Sequence, residues 1–567
     1  MDANRRQRKA CDLCYTRKLK CDTEKPRCSN CVSYATDCTH LAQSRKLKTK
    51  GRHDGKKITD KKARPAGTIK IPQVETDRVQ GPLELMSLRH DVAVLLRDRL
   101  SEDLANPTNS LELPPLQHTL GMLGIFLNSF NSILPLFHGD TLLSLVGECY
   151  ALPSHQRDPV VWAAINVVLA LATQLSPGNE KNDSEKTRTN HTTEYLNKAQ
   201  SVISQVMLGE TRLINVQVLV GMVMVLQTEH DLTAALVFIS ATMRLVHKME
   251  LHSRAASARL SVVERRQRGR VFWLAYILDK ALSLRAKQPS VQLDDDIDLD
   301  LPTQVGIGSE DDDGRAGVVV TADGEAEMNF FLARIQLASI EGSVYDCLYS
   351  TRASKRKLEE RAMARHNIVN ALRDWQLSIP QEFGADVITS NTGDNTATNT
   401  FFCLLHSASL HCITLVNQAH AWDEKWVLNL RDQGRGVEPL QLPPGWEDLV
   451  RQARGFMVLF SQTWSNDVWF RWMASCSYLT AMVLLIANDL CHLDHSEMYK
   501  DSELVDAALL WLDVKAINDQ REDLRALQDV CFNAVREVRR RRAQAIAMIQ
   551  HNGLNSNFSA VPWSHQL

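Results

Sequence analysis

Six cysteines crowd into 28 residues near the start of the chain, and their spacing repeats. They follow the pattern C-x2-C-x6-C twice, the second copy lying 17 positions after the first: Cys11, Cys14, Cys21, Cys28, Cys31 and Cys38. A segment this short cannot bury an apolar core large enough to hold it folded. Its fold must therefore depend on cross-links, either disulfides or bound metal.

Disulfides require an oxidising compartment. The chain begins MDANRRQRKA, without the apolar stretch of a secretory signal peptide, so we expect that the protein is not secreted. Seven further cysteines are scattered singly, as reduced core cysteines usually are: Cys149, Cys347, Cys403, Cys412, Cys476, Cys491 and Cys531. These observations favour metal over disulfides.

Structural zinc is held by four ligands in a tetrahedron, and cysteine thiolates are typical ligands. One zinc ion could take the two C-x2-C pairs, which leaves Cys21 and Cys38 without a role. Two zinc ions need eight ligand positions, which six cysteines fill if two of them bridge. The cluster would then carry a net charge of minus two, which the neighbouring basic side chains would offset: Arg17, Lys18, Lys20, Lys25 and Arg27.

The segment resembles the DNA-binding module of the fungal binuclear zinc-cluster transcription factors. The resemblance rests on the register of all six cysteines, the basic run after the second cysteine, and Pro26 between the two halves. It implies that the six cysteines bind two zinc ions, with Cys11 and Cys28 bridging them. It also implies two short helices, one after Cys11 and one after Cys28, and Ser29 suits the N-cap of the second.

The basic run YTRKLK predicts contacts with double-stranded DNA. Lysine and arginine donate hydrogen bonds to the O6 and N7 atoms of guanine in the major groove. The resemblance implies that Lys18 reads a CGG triplet, whereas Arg17 and Lys20 hold phosphates. A basic face that only neutralises the cluster is the structural alternative, although base and phosphate contacts need these same residue types.

Charge is spread unevenly along the 567 residues. Residues 1–70 carry a net charge of +13, and the remainder carries −15, which predicts a basic nucleic-acid-binding arm on an acidic body. The basic runs also suit nuclear-import signals. We predict a binuclear zinc-cluster DNA-binding domain at 1–40, a basic disordered linker at 41–81, a candidate dimerisation helix at 82–105, an all-α regulatory domain at 110–550 and a disordered tail at 551–567.

The candidate dimerisation helix carries a short heptad-like stripe at Leu85, Leu88, Val92 and Leu95. The stripe is shorter than that of most coiled coils. A helix that packs on the body fits this pattern as well as a dimer contact does.

From about 110 to 550 the apolar pattern is helical, which predicts a mostly α fold. Asp158 and Pro159 mark a helix start. Other helices are predicted at 194–207, 213–227, 232–249, 262–287, 325–376 with a break, 400–421, 467–490 and 518–549. The β-branched cluster Val318–Val320 is the exception, and no apolar run reaches the ~20 residues that a bilayer requires.

The body resembles the regulatory domain of the same family, often called the middle homology region. The resemblance covers about 120–305 and rests on the order of FNSILPLFH, EYLNKAQSVI, VQVLV, ATMRLVHKMELH and ERRQRGRVFWLAYILDK, closed by PSVQLDDDIDLDLP. It implies a regulatory role, with a small-molecule inducer or the transcription machinery as partner.

Other chemistry is weakly indicated. SEDDDG lacks the glutamate that a calcium loop requires at its twelfth position. Cys491, His492 and His495 are more typical of a polar helix end than of a metal site. No nucleophile elbow, phosphate loop or dinucleotide fingerprint occurs, so we predict that the protein is not an enzyme.

Taken together, these features predict a nuclear, sequence-specific DNA-binding transcription factor that acts on RNA polymerase II genes. It would bind DNA as a homodimer, read CGG-type triplets through two zinc ions, and contact no membrane. The alternative is a zinc-dependent protein-interaction regulator that does not read DNA directly.

Overall fold

The computed structural model describes two compact units, 1–82 and 83–567. In the first unit it describes residues 10, 11, 21, 28, 31, 38 and 39. In the second it describes 111–175, 185–229, 231–302, 315–392, 396–418, 442–463, 468–518 and 522–558. The predicted linker at 41–81 and the candidate dimerisation helix at 82–105 lie outside the described residues.

The described part of the second unit, called the helical unit below, is almost entirely α-helical. Its first half contains α1 (Leu116–Ile125), a π-helical turn (Phe126–Phe130), α2 (Asn131–Ile133), α3 (Gly139–Ala151), α4 (Pro159–Leu175), α5 (Glu185–Gln200), α6 (Ile203–Leu208), α7 (Leu213–Leu226), α8 (Thr233–Lys248) and α9 (Val262–Arg285).

The second half begins with a short hairpin and continues as helices. It contains β1 (Val318–Val320), β2 (Glu327–Asn329), α10 (Phe330–Val344), a second π-helical turn (Tyr345–Tyr349), α11 (Thr351–Ser354), α12 (Leu358–Ser378), α13 (Ile388–Thr392), α14 (Thr396–Gln418), α15 (Trp446–Gln462), α16 (Val468–Cys491), α17 (Met498–Asn518) and α18 (Glu522–Phe558). The last helix continues past the predicted domain end at 550.

Helices α4 and α7 form the centre of the first half. Asp158 caps α4 by accepting hydrogen bonds from the backbone N–H groups of Val160, at 2.8 Å, and Val161, at 3.3 Å, and Pro159 occupies the first turn as predicted. Nearly every residue of α7 is buried, and α4 packs against it, so both helices are apolar on all sides.

The helix predicted at 325–376 begins later in the structure, at Phe330. Val318–Val320 pairs antiparallel with Glu327–Asn329, and α10 begins at Phe330. Gly317 permits the entry to this hairpin because its φ is +89° and a Cβ there would lie 2.6 Å from Cβ of Phe331. The predicted break within 325–376 is the π-helical turn at Tyr345–Tyr349 and the short helix after it.

The FNSILPLFH loop is held by side-chain amides. Asn131 donates to the carbonyl oxygen of Phe137, at 2.8 Å, and accepts from the Phe137 N–H, at 2.9 Å. Gln217 on α7 and Gln267 on α9 both donate to the carbonyl oxygen of Leu136, at 2.7 Å each. The loop therefore joins two core helices through buried hydrogen bonds, which are costly to leave unmade.

The acidic segment PSVQLDDDIDLDLP is anchored to α9. The Asp279 carboxylate accepts from the N–H groups of Val291, at 3.0 Å, and Gln292, at 2.9 Å. The buried ammonium of Lys280 donates to the carbonyl oxygen of Gln292, at 2.7 Å, and pairs with Asp294 at 2.8 Å. Burial raises the pKa of Asp279, and the backbone donors oppose that rise.

By length and composition alone, Thr396–Gln418 and Met473–Cys491 could cross a membrane. In the structure, 67% and 72% of these respective windows are buried inside the protein. Their apolar residues thus belong to the core that joins α14, α15 and α16.

Candidate metal centre

Four cysteines of the first unit converge, although they are spread over 28 residues of sequence. The Sγ atoms of Cys11, Cys28, Cys31 and Cys38 all lie within 4.8 Å of one another. Cys11 Sγ is 3.7 Å from Cys28 Sγ and 3.6 Å from Cys31 Sγ. We call these four residues the sulfur quartet.

The geometry of the sulfur quartet fits zinc and not disulfides. Zinc–sulfur bonds of about 2.3 Å place the sulfur atoms of a tetrahedral site roughly 3.8 Å apart. The observed separations of 3.6 and 3.7 Å are close to this value. A disulfide needs about 2.05 Å, and all the described cysteines are free. The separations therefore agree with metal ligation, and the expectation of reduced cysteines stays a prediction.

The environment of the quartet also favours a cation. Cys11, Cys28 and Cys31 are fully buried. Burial raises the pKa of the Cys31 thiol, and hydrogen bonding to Cys28 and Cys11 raises it further. Thiolates this close together repel one another, whereas a coordinated zinc ion deprotonates them outright. Four thiolates can therefore be buried this close together only if a cation offsets their negative charge.

The structure separates the six predicted ligands into three groups. Cys11, Cys28, Cys31 and Cys38 form the quartet. Cys21 is partly buried and packs against it. Cys14 lies outside the described residues, as do the predicted DNA-contacting residues Arg17, Lys18 and Lys20. The structure therefore brings together four of the six cysteines that the sequence predicts to share one cluster, and the roles of the other predicted residues stay predictions.

A second cluster with metal-binding chemistry lies in the helical unit, at Asp489, His495 and Asp501. Arginines already balance its charge: Arg454 binds Asp501 through two hydrogen bonds, and Arg542 lies 2.9 Å from Asp489. His495 Nε2 is 2.8 Å from Asp489. The carboxylates of this cluster are therefore engaged in an ionic network with arginines. It shares only His495 with the predicted group Cys491, His492 and His495, for which the absence of a metal site stays a prediction.

A partly open cavity of about 350 Å³ in the helical unit is a feature that the sequence did not indicate. Helices α7, α9, α10, α14 and α16 contribute to its wall. Most of the wall is apolar, and Phe401 packs edge to face against Phe130, at 5.5 Å between ring centroids, and Phe330, at 6.2 Å. The polar side chains in the wall include Arg285, Arg334, Glu341 and His411, and no motif unites these residues in the sequence.

Comparison with known families matches both units. Residues 9–48 match the fungal Zn(2)-Cys(6) binuclear cluster domain, and residues 123–376 match the fungal specific transcription factor domain. The second match extends well beyond the 120–305 region in which the sequence motifs were recognised.

Curated proteins with similar sequences are fungal transcription factors. The chain is 30% identical over 428 residues to an "ABC-transporter-regulating transcription factor" of Aspergillus fumigatus and, equally, to one of Aspergillus oryzae. Each alignment covers 74% of this chain and 46% of the relative, so the chain spans about half the length of these proteins. A Fusarium heterosporum relative, the Fusaridione A cluster transcription factor, is 23% identical over 47% of this chain and 48% of its own. No solved structure matches significantly.

Proposed function

This chain belongs to the fungal transcription factors that carry a Zn(2)-Cys(6) binuclear cluster, and from that premise we propose that it is a nuclear regulator of RNA polymerase II genes that reads CGG-type triplets. The observation that carries the proposal is the sulfur quartet, whose spacing suits a zinc ion within the segment that also holds the basic run. Transcription regulation, not catalysis, is the activity of this family.

We propose that the segment holds two zinc ions. Cys11 and Cys28, the bridging pair implied by the family pattern, both belong to the quartet. If they are shared, Cys31 and Cys38 complete one tetrahedron. Cys14 and Cys21 then complete the other, which agrees with the packing of Cys21 against the cluster.

Zinc would orient the DNA-contacting residues without touching DNA. The run YTRKLK lies between Cys11 and Cys21, both of which belong to or pack against the cluster. Fixing both ends of a segment this short restricts where its side chains can reach. In this arrangement Lys18 donates to guanine, and Arg17 and Lys20 donate to phosphate oxygens.

The test of base reading is Lys18→Ala in the full zinc-loaded chain. A good base contact contributes about 1–3 kcal/mol of discrimination, so the variant should lose most of its preference for CGG over scrambled DNA. The matched control is Lys46→Ala with Lys48→Ala, which should weaken binding to all sequences alike and flatten its salt dependence. An unchanged preference in the Lys18 variant would exclude it as the reader. Binding that does not respond to salt in any variant would instead favour the protein-interaction alternative.

We also propose that the protein binds DNA as a homodimer. One zinc module can read only a few base pairs, which gives little specificity against a genome of competing sites. A flexible linker such as the one predicted at 41–81 would span roughly 35 Å, from about 5–6 Å times the square root of its length. That reach is about one turn of DNA, so the spacing between half-sites would be loosely constrained.

The dimer contact is tested by Leu88→Glu with Leu95→Glu in the full chain. Charges on the predicted apolar stripe should convert the dimer to a monomer in sedimentation velocity. They should also weaken binding to paired triplets more than binding to a single triplet. A change of two charges outside the predicted apolar stripe, Arg89→Glu with Arg97→Glu, is the control. A variant that remains dimeric would move the contact elsewhere in the chain.

A further inference from the structure

The cavity in the helical unit contains a positive charge that no described carboxylate neutralises. Arg285, at the end of α9, contacts the carbonyl oxygen of Gln227, at 3.5 Å, and Sδ of Met473, at 3.4 Å. Among the described residues, no carboxylate lies within salt-bridge distance of its guanidinium. Burial lowers the pKa of Arg285, yet arginine stays protonated in proteins. Arg285 is partly buried, and a cation in such a site without a carboxylate partner is unfavourable.

The other charges of the cavity wall largely cancel each other. Arg334 binds Glu341 through two contacts, at 3.0 and 3.4 Å, and both side chains are mostly buried. Glu341 is near enough to favour the charged form of Arg285. Because Arg334 already holds the Glu341 carboxylate, the wall as a whole keeps one net positive charge.

His411 adds an unused polar atom to the same wall. Its Nε2 is buried and has no hydrogen-bond partner. Burial and repulsion from Arg285 and Lys287 lower the pKa of His411 to about 4, so the ring is neutral near pH 7. In the tautomer with hydrogen on Nε2, this atom can donate a hydrogen bond to a ligand. A buried polar atom without a partner is uncommon and calls for an occupant.

We propose that this cavity binds a small organic acid with an apolar body, whose carboxylate pairs with Arg285 and accepts a hydrogen bond from His411. The volume of about 350 Å³ lies in the range of small-molecule sites, which are mostly apolar with a few placed polar groups. The phenylalanine and leucine side chains would cover the apolar body. A neutral apolar molecule of the same shape would leave Arg285 without a carboxylate partner. Binding by the helical unit does not depend on how the zinc cluster reads DNA.

The test uses matched pairs of probes on the full chain: 4-phenylbutanoate with 4-phenylbutanamide, and 8-phenyloctanoate with its amide. Calorimetry should show that at least one carboxylate binds ~10-fold or more tightly than its amide, because a hydrogen bond to a charged group contributes more than a neutral one. Arg285→Gln should remove that difference. Arg352→Gln, an exposed arginine on α11, is the matched control and should preserve it.

Two further measurements locate the site. Ala408→Phe places a ring in the cavity wall and should abolish binding of both members of a pair. Cys476 lines the cavity and is exposed, so a bound carboxylate should slow its alkylation. The rate is measured for each cysteine-containing peptide, and the alkylation rates of cysteines outside the cavity should not change. Intact circular dichroism of each variant excludes unfolding as the cause. Equal affinity of acid and amide, binding that survives Ala408→Phe, or no binding of any probe to a folded chain would overturn the proposal.

Discussion

The two units of this chain differ in the interactions that we expect to stabilise their folds. In the cysteine segment, the buried described residues are three cysteines, whose side chains are the proposed zinc ligands and form no large apolar core. In the helical unit, one continuous apolar core runs from Leu111 to Val538. The first fold is therefore conditional on a cation, whereas the second is conditional on packing, and each should fail without disturbing the other.

Metal removal should have the largest effect. A strong chelator should unfold the cysteine segment and abolish specific DNA binding, because structural zinc contributes about 10–16 kcal/mol to the folding of such modules. The thermal unfolding of the helical unit should not change, since its core contains none of the quartet's cysteines. Metal analysis of the untreated chain should find two zinc ions.

Cys28→Ala sharpens the same comparison. If Cys28 bridges the two proposed zinc ions, the variant should retain neither ion. Cys149→Ala removes a buried cysteine from α3 and is the control, which should keep both ions. A Cys28 variant that retains one ion would show that Cys28 does not bridge.

Truncation of a buried side chain in the helical unit should destabilise that unit and leave the cysteine segment unaffected. Phe402 is fully buried on α14, and its ring lies 5.1 Å from that of Phe330 and 5.4 Å from that of Phe383. Phe402→Ala should lower the free energy of unfolding of the helical unit by about 3–5 kcal/mol, because it leaves a cavity. The zinc content should stay constant.

The control for this substitution is Phe532→Ala on α18, whose side chain is 43% exposed. It should change the free energy of unfolding by only about 0.5 kcal/mol, as is typical of surface positions. Loss of zinc from the Phe402 variant would contradict the separation of the two units.

Acid should destabilise the helical unit by a smaller amount, through His411. Its pKa of about 4 in the folded chain lies below the value of about 6.5 expected for an unfolded histidine. The unfolded state therefore takes up a proton first as the pH falls. The free energy of unfolding should decrease between pH 6.5 and 4, by at most about 3 kcal/mol, and be independent of this group above that range.

Chemical denaturation at several pH values tests this expectation. His411→Gln should reduce the pH dependence, although His406, whose pKa burial also lowers, should leave part of it. His366→Gln, on the exposed face of α12, should leave the slope unchanged. An identical slope in all three chains would assign the acid sensitivity to other groups.

Local patterns predicted the helices better than the contacts between them. The cap at Asp158 and the apolar run after it identified α4 correctly. The pattern at 194–207 suggested one helix, but the chain turns at Ser201 and Val202 and forms α5 and α6. Helical periodicity predicts which face of a helix is apolar. It does not predict a turn of one or two residues that interrupts the helix.

The candidate sites show the same limit. Cysteine spacing predicted a cluster, and four of its six cysteines lie close together in the structure, because zinc sites leave a local signature in sequence. The cavity left none: Arg285 and His411 lie 126 positions apart, and each sits in an ordinary helical pattern. Such a site depends on long-range packing, which a single sequence does not encode in any window.

The residues of the cavity wall are widely separated along the chain, which affects when the cavity can form during synthesis. The wall begins at Phe130 and is completed by Ser477 on α16, so the region matched by the regulatory-domain family, which ends at 376, cannot close it. During synthesis the cysteine segment emerges first and can take up zinc at once. The cavity wall cannot close until α16 has left the ribosome. Until then the nascent helical unit exposes apolar surface, which makes such chains prone to aggregate and dependent on chaperones.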